Sequence, residues 1–115
     1  MSYQKFTIKQ NDVRPVLVAV IKDEEGNKVD LHDVLGIDFK MKLRGAPTNK
    51  VDSSRETRAN IVDPTEGKIQ YVWQDGDTDT PGMYEAEFEL IYRDGIQHVP
   101  TDEPFIVHVV RDRIA

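Results

Sequence analysis

The sequence contains no cysteine, and that absence removes disulfides, thiol nucleophiles, iron–sulfur ligation and every cysteine-containing zinc site. It contains no apolar run near the ~20 residues that a membrane-spanning helix needs, and its first dozen residues, MSYQKFTIKQND, lack the apolar segment of a secretory signal. The expectation is a soluble protein made in the cytosol. A surplus of positive charge is missing too: 21 Asp and Glu stand against 15 Lys and Arg, a net charge of −6, so a phosphate backbone is on average repelled. The densest basic patch, VVRDRIA, is interrupted by Asp112 and is too small to make a nucleic-acid footprint. Glycine-rich phosphate loops, internal repeats and low-complexity tracts are likewise missing.

What remains is a chain of 115 residues with 38% apolar and 31% charged side chains, the length of one domain and without a linker-like stretch. Its hydrophobic period is two. IDFKMKLR alternates without error, setting Ile37, Phe39, Met41 and Leu43 against Asp38, Lys40, Lys42 and Arg44. KIQYVWQ aligns Ile69, Tyr71 and Trp73, and MYEAEFELIY aligns Tyr84, Ala86, Phe88, Leu90 and Tyr92. VLVAVI (16–21) and FIVHVV (105–110) are apolar on both faces or nearly so, which predicts the two most buried strands. Turn signals fall between these segments: DEEGN, RGAPTN, DPTEG, DGDTDTPG and RDG. The spacing predicts an all-β sandwich of seven to eight strands with the final two antiparallel to their neighbours, a hairpin at Asp94-Gly95, and no helix longer than a turn at LHDVLG (31–36). The predicted core is built on Phe39, Met41, Tyr71, Trp73, Tyr84 and Phe88.

Three groups of residues have the types that chemistry uses. Asp75, Asp77 and Asp79 have the spacing that opens a calcium loop, yet Thr80 stands where such a loop needs Gly and Ala86 where it needs a bidentate Glu. They are read as turn formers, with an irregular Ca²⁺ site as the competing reading. Glu85, Glu87 and Glu89 project from one strand face, where they are solvated or pair with the Lys40, Lys42 and Arg44 row. An exposed row lacks the asymmetry that separates a catalytic acid from a base. His32, His98 and His108 share no metal-ligand spacing and form no nucleophilic arrangement with Ser53 or Ser54. The reading is non-enzymatic, with no cofactor.

In DTPGMYEA, Asp79, Gly82 and Tyr84 resemble the corner that precedes the second cysteine of immunoglobulin domains, with Ala86 in the cysteine's place. Tyr84 is therefore expected to return its hydroxyl to backbone near the 75–81 loop. The order of segments carries a wider resemblance. IKQNDVRPVLVAVIKDEEGNKVDL, IDFKMK, IVDPTEGKIQYVWQDGDTDTPGMYEAEFELIYRDG and VPTDEPFIVHV together resemble the N-terminal immunoglobulin-like domain of phage baseplate upper proteins, over nearly the whole chain. The sequence departs from that pattern at Asn11, where Gly is frequent, and at LHDVLG, where L-T-G-A is commoner.

The resemblance implies a single immunoglobulin-like antiparallel β-sandwich spanning residues 1–115. It also implies a structural role in the virion, docking to other virion proteins of the tail or baseplate, with a homo-oligomer as one arrangement. Baseplate members usually continue into further domains, so a freestanding copy fits a capsid decoration, neck or fibre-anchoring protein equally well. The contact regions are expected in RGAPTNKVDSSRET and DGDTDTPG. The rival is a carbohydrate-binding module for host-surface glycans, which needs exposed aromatics such as Tyr3, Phe6 and Tyr92 beyond the inward set.

Overall fold

A computed structural model describes residues 5–53, 58–99 and 105–114. Among them there is no helix, and nine strands form two facing sheets. The larger has the order β1 (Lys5–Lys9), β9 (Phe105–Val110), β7 (Gly82–Tyr92), β3 (Gly36–Leu43) and β4 (Val51–Asp52), with β8 (Gly95–Val99) also on β7. The smaller has the order β2 (Leu17–Val20), β6 (Lys68–Tyr71) and β5 (Ala59–Asp63). The count exceeds the expected seven to eight because very short strands such as β4, two residues long, leave no periodic signal.

β7 organises the large sheet. Eleven residues long, it pairs with β3 over Tyr84–Ile91 along one side, while the other side takes β9 over Gly82–Ala86 and then β8 over Phe88–Tyr92. β7 and β8 form the hairpin expected at Asp94-Gly95, closing with Tyr92 opposite Gly95, whose φ of +154° suits glycine. Alternation then does what the sequence requires: Ile37, Phe39 and Met41 of β3 and Tyr84, Ala86 and Phe88 of β7 turn inward, and all are buried. From the small sheet, Ile69 and Tyr71 meet them, with Trp73 just beyond β6. Phe39 lies at the centre, its ring 4.3 Å from Tyr71 and 5.0 Å from Phe88, so it joins the two sheets through aromatic contact.

Two expectations are corrected. VLVAVI is not among the most buried strands: β2 is an edge strand, and Val18 is 43% exposed on its outer face. An apolar run says that side chains tolerate burial, not that neighbours exist on both sides. β9 is flanked by β1 and β7, as its composition predicts, yet it runs parallel to β1, from Lys5 opposite Ile106 to Lys9 opposite Val110. Such pairing between distant segments leaves no mark on local periodicity. The LHDVLG segment is a turn closed by Val34 N–H on Leu31 C=O at 3.1 Å.

Backbone geometry explains two residue choices. Asn11 has φ of +69°, the left-handed region that Asn tolerates and that glycine, frequent there in the resembling family, adopts freely. Gly67, with φ of +64°, ends the DPTEG turn where it presses on another segment: its carbonyl accepts from Ile21 N–H at 2.8 Å, and a Cβ there would lie 2.8 Å from the carbonyl oxygens of Ile21 and Val29.

Candidate functional site: the corner loop, the outer faces and the edges

The 74–80 loop is held from several directions. Tyr84 Oη donates to Thr80 C=O at 2.6 Å, the hydroxyl-to-backbone bond expected of a corner tyrosine. Tyr71 Oη donates to Asp77 Oδ2 at 2.6 Å, and the same oxygen accepts from Gln74 N–H at 2.9 Å. Thr78 is buried and donates to Asp12 C=O at 2.8 Å, while Asn11 N–H bonds Thr78 C=O at 3.0 Å. Asp79 Oδ1 accepts from Lys50 Nζ at 2.6 Å and from Thr80 Oγ1 at 2.9 Å, which holds its carboxyl below the usual range. Asp77 and Asp79 therefore spend oxygens on separate structural bonds, Asp75 stays exposed, and the three do not gather as a ligand group. Tyr84→Phe removes one bond to a loop carbonyl and should lower stability by roughly 1 kcal/mol in denaturant unfolding, with the 74–80 amides losing exchange protection first.

Beside this corner, Leu43, Ala46, Lys50, Thr80 and Tyr84 line an open cleft of about 200 Å³. Small-molecule sites usually offer ~300–1,000 Å³ and enclose their ligand, so the cleft resembles a contact surface more than a substrate pocket. The aromatic side chains give little to a glycan platform. Phe6 is half-buried and stacked on Trp73 at 5.9 Å, Tyr92 is half-buried with its hydroxyl 3.4 Å from Gln97 Oε1, and Tyr3 lies outside the described residues. Trp73 is 3% exposed, and its Nε1 has no hydrogen-bond partner, so the indole serves packing alone.

The outer face of the large sheet differs from the expected solvated row. Lys40 and Lys42 of β3 stand opposite Glu87 and Glu85 of β7, as cross-strand charge pairing predicts. Glu89, however, is only 8% exposed, with Oε2 3.3 Å from Lys40 Nζ and 3.1 Å from His98 Nε2. Burial, then the neighbouring Glu89 charge, raises the Asp38 carboxyl above its ordinary value. Among the described residues Glu87, Glu89 and His98 bring their ligand atoms within 4.8 Å of one another. Spacing along the chain hides this group. Its signal was the Asp94-Gly95 turn, from which counting back along a two-residue hairpin loop sets His98 opposite Glu89. Ser53 was also missed: its Oγ accepts from Phe39 N–H at 2.7 Å, making it a buried structural group, while Ser54 lies outside the described residues.

The edges differ in how they are guarded. β1 displays Lys5, Thr7 and Lys9 to solvent, β5 is broken by a register shift between Ile61 and Asp63, β4 is two residues long, and β8 carries the exposed His98. Lysines, bulges and brevity are the usual means of stopping a strand edge from pairing with another chain. β2, four residues long, carries neither a lysine nor a bulge. The Ile21 N–H bond to Gly67 C=O at 2.8 Å fixes the ladder so that Leu17, Ala19 and Ile21 face β6, leaving Val18 and Val20 to turn their N–H and C=O groups outward.

A family profile described as the BppU N-terminal domain matches residues 2–114. No curated protein matches the chain. With two all-β sheets, the corner tyrosine and a match over nearly the full sequence, the chain belongs to the BppU N-terminal domain family, the N-terminal domains of phage baseplate upper proteins, and is a structural domain of the phage virion.

Proposed function

We propose that this chain is a single immunoglobulin-like, non-enzymatic docking domain, which attaches to other proteins of the tail and baseplate after synthesis in the host cytoplasm. The observation that carries the reading is the open β2 edge, with outward backbone groups at Val18 and Val20 and an apolar outer face on which Val18 is 43% exposed. A partner strand added there would gain main-chain hydrogen bonds and cover the valines. The exposed side chains of the corner loop and of the 45–50 turn between β3 and β4 lie at strand ends, where they can set specificity. In a symmetric assembly, modest individual contacts of this kind add through avidity, and copies of the domain arranged around one ring supply that multiplicity.

The test is Val18→Lys introduced into the phage that encodes the protein, with copies per particle counted by quantitative mass spectrometry. A lysine on an exposed strand position should leave the melting temperature of the isolated protein within a few degrees of the parent, since surface changes usually stay within ~0.5 kcal/mol. Incorporation should fall at least ten-fold. A variant that folds and is packaged at the parental copy number would remove β2 as the docking edge.

A further inference from the structure

We propose that Glu87, Glu89 and His98 form a binding site for a divalent transition-metal ion, with Zn²⁺ the best match, on the outer face of the large sheet. Nothing in the docking function requires it. Glu87 and Glu89 are two residues apart on β7 and so emerge from the same face, while His98 is directly opposite Glu89 across the β7–β8 hairpin. Two strands of one hairpin thus fix all three positions, and the ligand atoms already lie within 4.8 Å of one another. Tetrahedral zinc, with bonds of ~2.0–2.2 Å to nitrogen and oxygen, holds its donors roughly 3.4 Å apart, within reach of small side-chain rotations. Three protein donors leave the fourth position to water.

The donor set selects the metal. Calcium and magnesium favour oxygen cages of six or more donors, whereas an imidazole with two carboxylates suits zinc and its neighbours in the first transition row. Charge balance supplies a separate argument. Lys40 feels Glu89, Asp52 and Asp38 together and stands opposite Glu87, so carboxylates gather around its ammonium. A divalent cation held by Glu87 and Glu89 would bring two positive charges to that group. Lys40 is also the competitor: its Nζ is 3.3 Å from the Oε2 of Glu89, the same oxygen that His98 approaches at 3.1 Å. Metal binding would take that oxygen and leave Lys40, whose side chain is 29% exposed on a flexible stem, to move toward Asp52 and Glu87. The bound ion would fasten β8 to β7 beyond the hydrogen-bonded ladder.

The experiment is calorimetric titration of ZnCl₂ into protein free of any polyhistidine tag, with the melting temperature recorded alongside. One zinc per chain should bind, with a rise in melting temperature. His98→Ala and Glu89→Gln should each weaken binding at least ten-fold; His98 is an exposed side chain, so its variant tests the site without endangering the fold. Lys40→Gln should tighten binding several-fold, an outcome that a purely structural Lys40–Glu89 ion pair does not predict. His32→Ala, which removes the separate His32–Asp30 contact, should change nothing. The proposal is overturned if zinc does not bind, if His98→Ala binds as the parent does, if Lys40→Gln fails to tighten binding, if affinity follows His32, or if CaCl₂ competes equally.

Discussion

Gly67→Ala should lower the melting temperature by on the order of 15 °C, the equivalent of ~3–5 kcal/mol in a domain of this size. Two costs add. At φ of +64° a side chain is strained by about 1 kcal/mol or more. The larger cost is contact: the added Cβ would sit 2.8 Å from both Ile21 O and Val29 O, which are backbone atoms and cannot rotate away as a side chain would. Relief requires the DPTEG turn to withdraw, and the turn is tied down on both sides. Ile21 N–H bonds Gly67 C=O at 2.8 Å, and Leu31 N–H bonds Pro64 C=O at 2.9 Å. Gly26→Ala is the matched control, since Gly26 has φ of +86° but no heavy atom near the Cβ position. It should cost only ~1 kcal/mol. Thermal melts of both variants separate strain from collision, and equal losses would show that contact at Gly67 adds nothing.

Phe39→Ala is the second large effect, expected at about 3–5 kcal/mol by urea unfolding. Phe39 is fully buried, and its ring touches residues of both sheets: Tyr71 and Trp73 on one side, Phe88 on the other. Removing it leaves a cavity at the middle of the sandwich, where no mobile surface element can collapse inward. The damage should travel. Tyr71, which stacks on Phe39 at 4.3 Å, is also the donor to Asp77 that anchors the corner loop. The Gln74 amide, bonded to the same carboxylate, should therefore exchange faster in the variant than the global destabilisation alone explains. A loss below ~2 kcal/mol would mean that the neighbouring aromatics repack to fill the space.

The sequence was most readable where one face of a strand meets the core and the other meets water. β3 and the 84–90 stretch of β7 alternate because Phe39, Met41, Tyr84, Ala86 and Phe88 must be dry while Lys40, Lys42, Glu85 and Glu87 need not be. The β7–β8 hairpin was readable from Asp94-Gly95, and the corner from the short interval between the Asp cluster and Tyr84. Legibility stopped wherever the answer depended on which strand lies beside which. β2 is as apolar as a central strand, yet it has a neighbour on one side only, because sheet order is decided by long-range pairing that local composition does not encode. Alternation puts Glu89 on the outer face, solvated or paired with the basic row, and of these it is the pairing with Lys40 that the structure shows, at a depth the alternation does not reveal. Alternation identifies a face, and the depth of one point on it depends on what the neighbouring strands place there, here Lys40 and His98. The Asp75, Asp77 and Asp79 spacing could not reveal that Asp77 is claimed by Tyr71 and Asp79 by Lys50, since both partners come from other parts of the chain.

The parallel pairing of β1 with β9 has a mechanical meaning. Both strands run in the same direction, so chain leading into β1 and chain leading out of β9 depart from opposite ends of the same ladder. Tension between those two ends would pull the strands past each other along their length. The hydrogen bonds between Lys5–Lys9 and Ile106–Val110, extended by the Gln10 N–H bond to Val110 C=O, would then bear the load together and not one after another. In a hairpin pulled from its open end the bonds would be reached in turn, and each would break under the full force. A domain wired in this way resists stretching along its chain direction.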